Sequence, residues 1–533
     1  MSTPTLIGLI SRGYFPKELP PAFNTRSLAK IAKNPAALPP EFTNPKTRTK
    51  NINHSYLARA NSRRRLGIVN PINYVALSIN IVNHWKQLES LLNRSNASLT
   101  SPVYRGPHYK PHHGPPGRAF GYKYSYDRMD DLKASVRSRS RYILRTDINQ
   151  FYHSIYTHSI AWAVHGKNTA KAQQHNNSLL GNVLDKLIRQ SQDNQTIGIP
   201  IGPDNSFLIA EIILSACDKR LHKLGITNYT RFIDDYEFGC KSLRTAESYR
   251  DRLQELLGEF ELVLNPDKTE IIELPSPLEK PCISTIRTFD LRDSRADSQR
   301  YALIHIFDIV FGNTRENPDV SILKYLLGRL IHVKIEKPNW NLYESLLLQC
   351  VMSDTSTISY VLDEFRTYKS MGYPLKMSHI KEAMTFLIKA HAPINHGSEV
   401  AWALWVQIVL GLPVSETAAN AACKMNDSVV AILLLDANAK HLIQSPVNFN
   451  DYQSLMTKSG LYGDQWLLSY EANVKNWLPS RGTTDYVGSD KCFGFLKSAS
   501  VAFYDDKWPI KNKPKVKPTT PIGGGGGGGG VVY

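Results

Sequence analysis

The stretch Tyr229-Thr-Arg-Phe-Ile-Asp234-Asp235-Tyr-Glu-Phe-Gly239 places two adjacent aspartates inside an aromatic and apolar run. Asp tolerates the backbone angles of a two-residue turn, and hydrophobic residues flank the pair on both sides, so the stretch predicts a tight β-hairpin. A lone Asp-Asp pair more often marks a solvated turn. Its meaning here therefore depends on the elements around it.

A second acidic element precedes this hairpin. Asp147 follows the apolar run 142–146, which has the composition of a short strand. Between the two acidic elements lie a loop rich in glycine and proline, Gly198-Ile-Pro-Ile-Gly202-Pro203, and a helix that begins near Asp204 and ends at Gly225. This alternation of strand and helix indicates a sheet of the split βαβ kind.

Three carboxylates from separate parts of the chain fit a two-metal site for phosphoryl transfer. Asp147, Asp234 and Asp235 offer the oxygen ligands that Mg²⁺ prefers. Two such ions, about 3.5–4 Å apart, can act together on a primer hydroxyl and a nucleotide triphosphate. We therefore predict a polymerase active site with two Mg²⁺ ions, for which Mn²⁺ is an alternative. Ile148 is assigned to the same metal and nucleotide site.

Other residues are candidates for contacts with the nucleotide. Tyr152 is placed to pack beneath the sugar and exclude a ribose 2′-hydroxyl, with a core aromatic as the alternative. Gly202 and Pro203 form a loop whose backbone can approach primer or template. Lys268 is either an acid or electrostatic clamp for the leaving pyrophosphate or a surface lysine. The candidate triphosphate contacts are Arg118, Lys123 and Arg141.

The charge of the chain favours nucleic acid as a partner. Its 533 residues carry a formal charge of +17, and such a field attracts polyanions whether or not sequence is read. Arginines alternate with tyrosines in the N-terminal third, which suits phosphate contact and base stacking, with a solvated basic face as the alternative. The six cysteines form no CxxC pair, which argues against a zinc site. With no long apolar run and no secretory signal, we expect a cytoplasmic protein without membrane contact.

The pattern divides the chain into four segments. Residues 1–120 are rich in proline, which breaks every candidate helix except one near 74–92, and are predicted to form an N-terminal arm and fingers. Residues 121–295 are predicted to form a palm. Residues 296–505 show helical periodicity typical of a HEAT-like all-α domain. Residues 506–533 form a flexible, basic, glycine-rich tail, and the fold class is α+β.

In this order the elements resemble motifs A, B, C and D of the reverse-transcriptase palm. The segments 147–163 and 198–204 are similar, more narrowly, to those of bacterial abortive-infection and defence-associated reverse transcriptases, and residues 12–23 with Trp402 and Trp405 fit the same group. The resemblance implies reverse-transcriptase fingers and palm, DNA synthesis from dNTPs and a role in phage defence. It also implies a noncoding or template RNA partner, homo-oligomers and, in some members, protein priming.

Two positions depart from the family pattern. The Tyr-Ala pair usual before the acids is Phe232-Ile233 here, which puts a bulkier side chain beside the metals. The Gln usual in the Leu-Pro-Gln-Gly loop is Ile201. In the family this Gln helps to hold the nucleotide and template, so its absence favours synthesis of simple or untemplated DNA.

The C-terminus offers a hydroxyl that could start synthesis. Tyr533 ends the chain after eight glycines, Gly523 to Gly530, and an extended segment of about 25 residues spans about 80 Å. We predict Tyr533 as the priming residue, with the DNA product covalently attached to it. The alternative is a disordered linker that ends in an incidental aromatic residue.

Three functions compete. The first is a protein-primed antiphage reverse transcriptase that makes DNA of simple sequence with a noncoding RNA partner or template. The second keeps the fold and uses ordinary RNA templates and nucleic-acid primers. The third is a non-enzymatic RNA-binding scaffold, in which the basic N-terminal third and the helical region act and the acids have no role.

Overall fold

The computed structural model describes residues 3–59, 62–93, 96–106, 117–289, 295–317, 321–482 and 484–508. It combines sheets with many helices, which confirms the α+β class with a helical C-terminal region. Among these residues, no helix is both long and apolar enough to span a bilayer. The predicted priming residue Tyr533 and most of the predicted tail lie outside the described residues.

The N-terminal part is more regular than its proline content predicts. The run Leu6–Gly13 contains no proline and forms a helix, whose first turn is capped by the Thr5 hydroxyl accepting from the Gly8 N–H. An antiparallel hairpin follows, so the prediction of a loop-rich arm with a single helix is wrong. The elements are α1 (Leu6–Gly13), α2 (Arg26–Ile31), β1 (Ile52–Arg59), β2 (Ser62–Ile68), α3 (Pro71–Asn83), α4 (Trp85–Leu92), β3 (Pro102–Tyr104) and β4 (Phe120–Tyr122).

A four-stranded antiparallel sheet forms the centre of the next segment, with strand order β6-β7-β5-β8. Helix α11 packs against β5 and β7, and α5 packs against β6 and β7. The elements are α5 (Tyr126–Arg137), β5 (Tyr142–Thr146), α6 (Phe151–Ser154), α7 (His158–His165), α8 (Lys167–Ala172), α9 (Leu180–Ser191), α10 (Asp204–Lys223), β6 (Tyr229–Phe232), β7 (Asp235–Cys240), α11 (Leu243–Gly258) and β8 (Glu270–Glu273).

Helices make up the regular structure described after β8. They are α12 (Pro281–Thr288), α13 (Ala296–Glu316), α14 (Ile322–Leu330), α15 (Trp340–Ser353), α16 (Ile358–Ser370), α17 (Met377–His391), α18 (Gly397–Leu410), α19 (Glu416–Cys423), α20 (Ser428–Ala439), α21 (Asn450–Ser454), α22 (Trp466–Val474) and α23 (Lys491–Ser498), with short 3₁₀ turns between some of them.

Two hydrophobic cores hold these elements together. One lies beneath the four-stranded sheet and includes Trp85, Leu144 and Leu208. The other joins the N-terminal segment to the C-terminal helices, since Ile10 and Phe42 share it with Trp405 and other helical residues. The predicted domain boundary at residue 120 therefore does not separate the residues of one core from those of the other.

Hydrogen bonds between the N-terminal segment and the segment after α23 stabilise this second core. The Asn24 N–H donates to the Phe503 carbonyl (2.9 Å), and the Asp505 N–H donates to the Ala22 carbonyl (2.9 Å). The indole of Trp466 donates to the carbonyl of Ile68 at the end of β2 (3.4 Å). The N-terminal segment is thus part of the helical region, and it connects that region to the sheet.

Candidate active site

The sheet brings the three predicted aspartates to one end. The register of β5 and β7 pairs Thr146 with Tyr236. The residues just beyond that pair, Asp147 and Asp235, therefore lie at the same end of two hydrogen-bonded strands, where opposed residues are about 5 Å apart. Asp234 is in the adjoining β6–β7 turn.

The hairpin turn is offset by one residue from the prediction. Phe232 pairs with Asp235, so the two turn residues are Ile233 and Asp234 rather than the two aspartates. Ile233 has a positive φ of 55°, which a β-branched residue rarely adopts. Its N–H donates to the Thr100 hydroxyl (3.0 Å), and its carbonyl accepts from Arg231 (2.7 Å). These contacts fix the turn that carries Asp234.

A buried ion cluster anchors this hairpin to α10. The Arg231 side chain has no exposed surface and contacts the carboxylates of Glu211 (2.8 Å) and Asp218 (2.7 Å), both on α10. Each carboxylate receives more than one hydrogen bond from the guanidinium. Because breaking a buried ion pair is costly, the cluster fixes the position of the hairpin relative to α10.

The charge balance at the sheet end fits divalent cations. Asp147 is buried, and its Oδ1 atom has no hydrogen-bond partner. Its other oxygen accepts from the ammonium of Lys268. The pKa of Asp234 is raised to about 7 by burial and by the neighbouring carboxylates of Asp235 and Asp147. An orphaned buried oxygen beside mutually repelling carboxylates is the environment that Mg²⁺ ions neutralise.

Ile148 and Lys268 take more limited positions than predicted. The Ile148 side chain is buried in the core beneath the four-stranded sheet, and its backbone bridges to Leu264. Only its backbone can therefore face a metal. Lys268 is bonded to Asp147 itself, which places its positive charge on a predicted metal ligand. A role toward pyrophosphate stays a prediction.

Tyr152 and the 198–203 loop border the carboxylates. Burial and then the charge of Asp234 raise the pKa of Tyr152. The carbonyl of Tyr152 accepts from the Ile199 N–H (2.8 Å), which joins the tyrosine to the loop. Gly202 has a φ of +118°, and a Cβ atom there would lie 2.5 Å from Cγ of Pro16, so the loop requires glycine at this position.

The structure does not support two of the predicted triphosphate contacts. Arg118 is buried, with its guanidinium on Asp204 and on the carbonyls of Phe15 and Gly202 (2.5 Å each), so it holds the loop and start of α10 in place. Arg141 precedes β5 and binds Glu273 (3.1 Å), at the end of the strand opposite Asp147. Sequence patterns gave no sign of these distant partners.

Lys123, the third candidate, is half-buried and donates to the side chain of Asn96 at 3.5 Å. Its ammonium lies 5.2 Å from the ring centroid of Tyr124. These contacts leave its role toward a triphosphate a prediction.

Arg64 faces the site, although the sequence gave it no individual role. It is an exposed residue of β2, and its positive charge acts to lower the pKa of Asp234 against the net rise. The same strand docks on the loop, since the Gly67 N–H donates to the Ile201 carbonyl (2.8 Å) and Leu66 bridges to Ile201. Strands β1 and β2 were not predicted, so their register could not be used to place Arg64.

One other group of metal-type ligands occurs among the described residues. Atoms of His391, His396 and Glu399 all lie within 4.8 Å of one another, a spacing that the three aspartates do not meet. Both oxygens of Glu399 already accept from Arg63, at 2.6 and 2.8 Å. A guanidinium therefore neutralises this carboxylate, and we assign no metal there. The aspartates, in contrast, would share two ions rather than surround one.

Comparison with known proteins assigns part of the chain. Residues 108–302 match the family model described as reverse transcriptase (RNA-dependent DNA polymerase). No protein with a curated description matches the chain.

Three solved structures similar to the chain are telomerases. The apo enzyme of Candida tropicalis truncated from its C-terminal domain is 14% identical, with a TM-score of 0.31 over 43% of this chain and 51% of that one. The apo enzyme of the same organism is 11% identical, with a TM-score of 0.33 over 68% and 70%. Telomerase from Candida albicans with a TWJ fragment of telomeric RNA is 11% identical, with a TM-score of 0.28 over 68% and 66%. The chain spans about half the length of the first of these structures.

Proposed function

We propose that the protein synthesises DNA from dNTPs at Asp147, Asp234 and Asp235, on the premise that residues 108–302, which match the reverse transcriptase family model, act as such a domain. The observation that carries the proposal is the meeting of these carboxylates at one end of the sheet. There the Asp147 Oδ1 atom is buried without a partner, and mutual repulsion contributes to the raised pKa of Asp234. Divalent cations bound here would neutralise this concentration of negative charge.

Each residue of the site has a distinct task in this proposal. Asp147, Asp234 and Asp235 hold two Mg²⁺ ions, for which Mn²⁺ is an alternative, beside the Ile148 backbone. When bound, the ions supply charge neutralisation for the triphosphate and a lowered pKa for the attacking hydroxyl. Tyr152 positions the sugar of the nucleotide. Lys268, which bonds to Asp147 in the structure, is proposed to act on the departing phosphates as an acid or electrostatic clamp.

The test is DNA synthesis on an added primer and template. Asp234→Asn removes one carboxylate charge without changing side-chain size, and we expect activity to fall at least about 10²–10³-fold. Asp267→Asn, an exposed aspartate in the 3₁₀ turn next to Lys268, is the matched control and should retain activity. Equal activity of the two variants would reject the proposed site.

We also propose that Tyr533 primes synthesis and remains attached to the product. The support comes from the sequence of the tail and from where it starts. The last described residue, Trp508, packs against Trp405 of the helical region with ring centroids 5.6 Å apart, and residues 509–533 follow it in the sequence. Extended, these residues span about 80 Å. Tyr533→Phe should abolish covalent protein–DNA product and leave extension of an added primer intact, and labelled DNA on the variant would exclude this priming residue.

The product is proposed to be DNA of simple sequence, made with little or no template. The observation in favour is that Ile201 replaces the usual glutamine and that its backbone carbonyl is bound to Gly67 of β2. Each dNTP supplied singly should then support long products. A conventional RNA-templated enzyme, the second candidate, stalls without all four nucleotides.

A role in antiphage defence, with a noncoding RNA partner and assembly into homo-oligomers, completes the proposal. The support is the family resemblance of the motifs and the net charge of +17. Sequencing the nucleic acid that copurifies with the protein, before and after protease digestion, identifies both partner and product. If Asp234→Ala retains both RNA binding and protection against phage, the chain acts as a scaffold instead.

A further inference from the structure

Two cations and a tyrosine meet where the β1–β2 hairpin touches the helical region. Tyr56 and Arg64 are direct partners across the two strands. Lys324, on α14, reaches the same tyrosine, with its Nζ 3.4 Å from the Tyr56 hydroxyl and 5.8 Å from the ring centroid. Arg64 itself is exposed. The three side chains therefore form one patch built from distant parts of the sequence.

Lys324 is unusual among the lysines of this chain. The residue is only 9% exposed, and no carboxylate among the described residues comes within ion-pair distance of its ammonium. It also lies in the first turn of α14, where the helix dipole disfavours a cation. Lysine is almost never buried unless it is paired. Its hydrogen-bond partner is the Tyr56 hydroxyl, and Asp354 and Glu18 act on it from beyond ion-pair distance, so the ammonium can still accept an anion.

A third cation faces the same region. Lys17 is exposed and follows Pro16, which lies against Gly202 of the loop. Desolvation of its ammonium lowers the pKa of Lys17, the positive charges of Arg118, Lys324 and Arg64 lower it further, and Glu18 opposes them. Burial likewise lowers the pKa of Lys324, against Asp354 and Glu18. Arg118 is neutralised by Asp204. Glu18 and Asp354 offset part of the charge of Lys17, Arg64 and Lys324, which leaves an excess of one positive charge in this region.

The patch adjoins the active site. Arg64 lies two residues before Leu66, which bridges to Ile201 of the loop, so about 7 Å of strand separates the cation from that loop. The charge of Arg64 also acts on Tyr152 and Asp234. A nucleic acid strand that passes the carboxylates would meet this patch as it leaves or enters.

We propose that Lys17, Arg64 and Lys324, together with Tyr56, bind the backbone phosphates of a single-stranded nucleic acid next to the active site. Cations from three separate elements follow a strand better than a compact triphosphate, and an aromatic ring among them suits base stacking. The inference rests on the proposed function, because it takes the strand to be template or product of that active site. The helical region would then take part in substrate binding directly, through α14.

The experiment measures binding of fluorescein-labelled single strands, oligo(dT) and oligo(U) of 20 nucleotides, to the full chain carrying Asp234→Asn. Lys324→Met keeps the buried stem and removes the charge. We expect about fivefold weaker binding and a salt slope reduced by about 0.7, the value for one lost phosphate contact. Arg64→Gln should act in the same direction. Lys389→Met, which removes an exposed lysine from α17, is the matched control and should change neither quantity.

Further readouts separate the outcomes. Lys324→Met removes a buried charge and should have an unchanged or higher Tm, while Lys324→Arg should restore binding. Affinity and salt slope equal to those of the control would overturn the proposal. So would unchanged oligonucleotide binding together with a raised KM for dNTPs, measured on Lys324→Met with Asp234 intact, which would place a triphosphate there. If the chain with Asp234 intact makes no DNA, while Lys324→Met and Arg64→Gln weaken oligonucleotide binding, the proposed function fails and the phosphate site stands.

Discussion

At the tip of the β6–β7 hairpin, Ile233 adopts left-handed backbone angles directly beside a proposed metal ligand. For a residue with a Cβ atom this conformation costs about 1–2 kcal/mol. Packing against the palm core and the hydrogen bonds to Thr100 and Arg231 offset the cost. The strain lies where the position of Asp234 matters most, which is typical of functional sites.

This strain predicts that glycine at position 233 gives a more stable protein than alanine, the reverse of the usual order in a strand. Ile233→Gly and Ile233→Ala remove similar packing, but only glycine adopts a positive φ freely. The glycine variant should therefore be more stable by about 1 kcal/mol in urea unfolding. Ile271, half-buried in β8 against the same core, is the control, and there alanine should be more stable than glycine. The same order at both positions would show that Ile233 is not strained.

The carboxylates predict a pH dependence of the metal-free protein. Burial, Asp235 and Asp147 raise the pKa of Asp234 from its ordinary value to about 7. The folded state thus favours the protonated form, and stability is lost as the pH rises through about 7. Asp234→Asn removes that loss. In EDTA its Tm should gain on that of the wild type between pH 5 and 8, whereas Asp267→Asn should run parallel to the wild type; parallel curves for both would contradict the raised pKa.

At the scale of elements, one ion pair fastens the β1–β2 hairpin to α18. Arg63 donates to both oxygens of Glu399, which is buried, and the Leu57 N–H donates to the neighbouring Ser398 hydroxyl (3.3 Å). Burial alone would raise the pKa of Glu399, but the hydrogen bonds from Arg63 and Ser398 lower it to about 2. The pair keeps β2 against the loop that borders the active site.

Glu399→Gln should therefore destabilise the protein by about 2–3 kcal/mol in urea unfolding, because a guanidinium is left without its buried counterion. The depressed pKa means that the contribution is complete above about pH 4.5 and is lost as the pH falls toward 2. Glu382→Gln, at an exposed site on α17, should stay within about 0.5 kcal/mol of the wild type. A similar small effect at Glu399 would mean that the hairpin is held by other contacts.

The elements differ in how far the sequence predicts them. The helix from Asp204 ends at Lys223 with Gly225 at a φ of +80°, as its local signals indicate. The β1–β2 hairpin escaped prediction because partners such as Glu399 and Trp466 lie hundreds of residues away. The sequence did not indicate the ion pair of Arg118 for the same reason, since its partner Asp204 is 86 positions distant. The order of strand, loop, helix and hairpin predicted which aspartates form the site. Only the strand register shows that Asp147 and Asp235 are neighbours.

At the scale of the whole molecule, the N-terminal segment and the C-terminal helices share one hydrophobic core. Residues from Leu6 to Val75 share one core with helices that extend to residue 496 and with the segment 501–504. The same N-terminal segment carries Pro16 against Gly202 and Gly67 against Ile201. The helical region therefore supports the loop at the candidate active site through the N-terminal segment.

Truncation tests this dependence. A fragment of residues 1–295 keeps the core beneath the four-stranded sheet but lacks the helices that cover Leu6, Phe42 and Ile68. Hydrogen exchange at residues 6–68 should therefore become fast while β5 and β7 stay protected. A fragment of residues 1–508 loses only residues outside the described structure and should match the full chain in protection and Tm. Extension of an added primer should survive in the longer fragment, without covalent product, and be lost in the shorter one. Protection of residues 6–68 in the shorter fragment would show that the N-terminal segment folds without the helices.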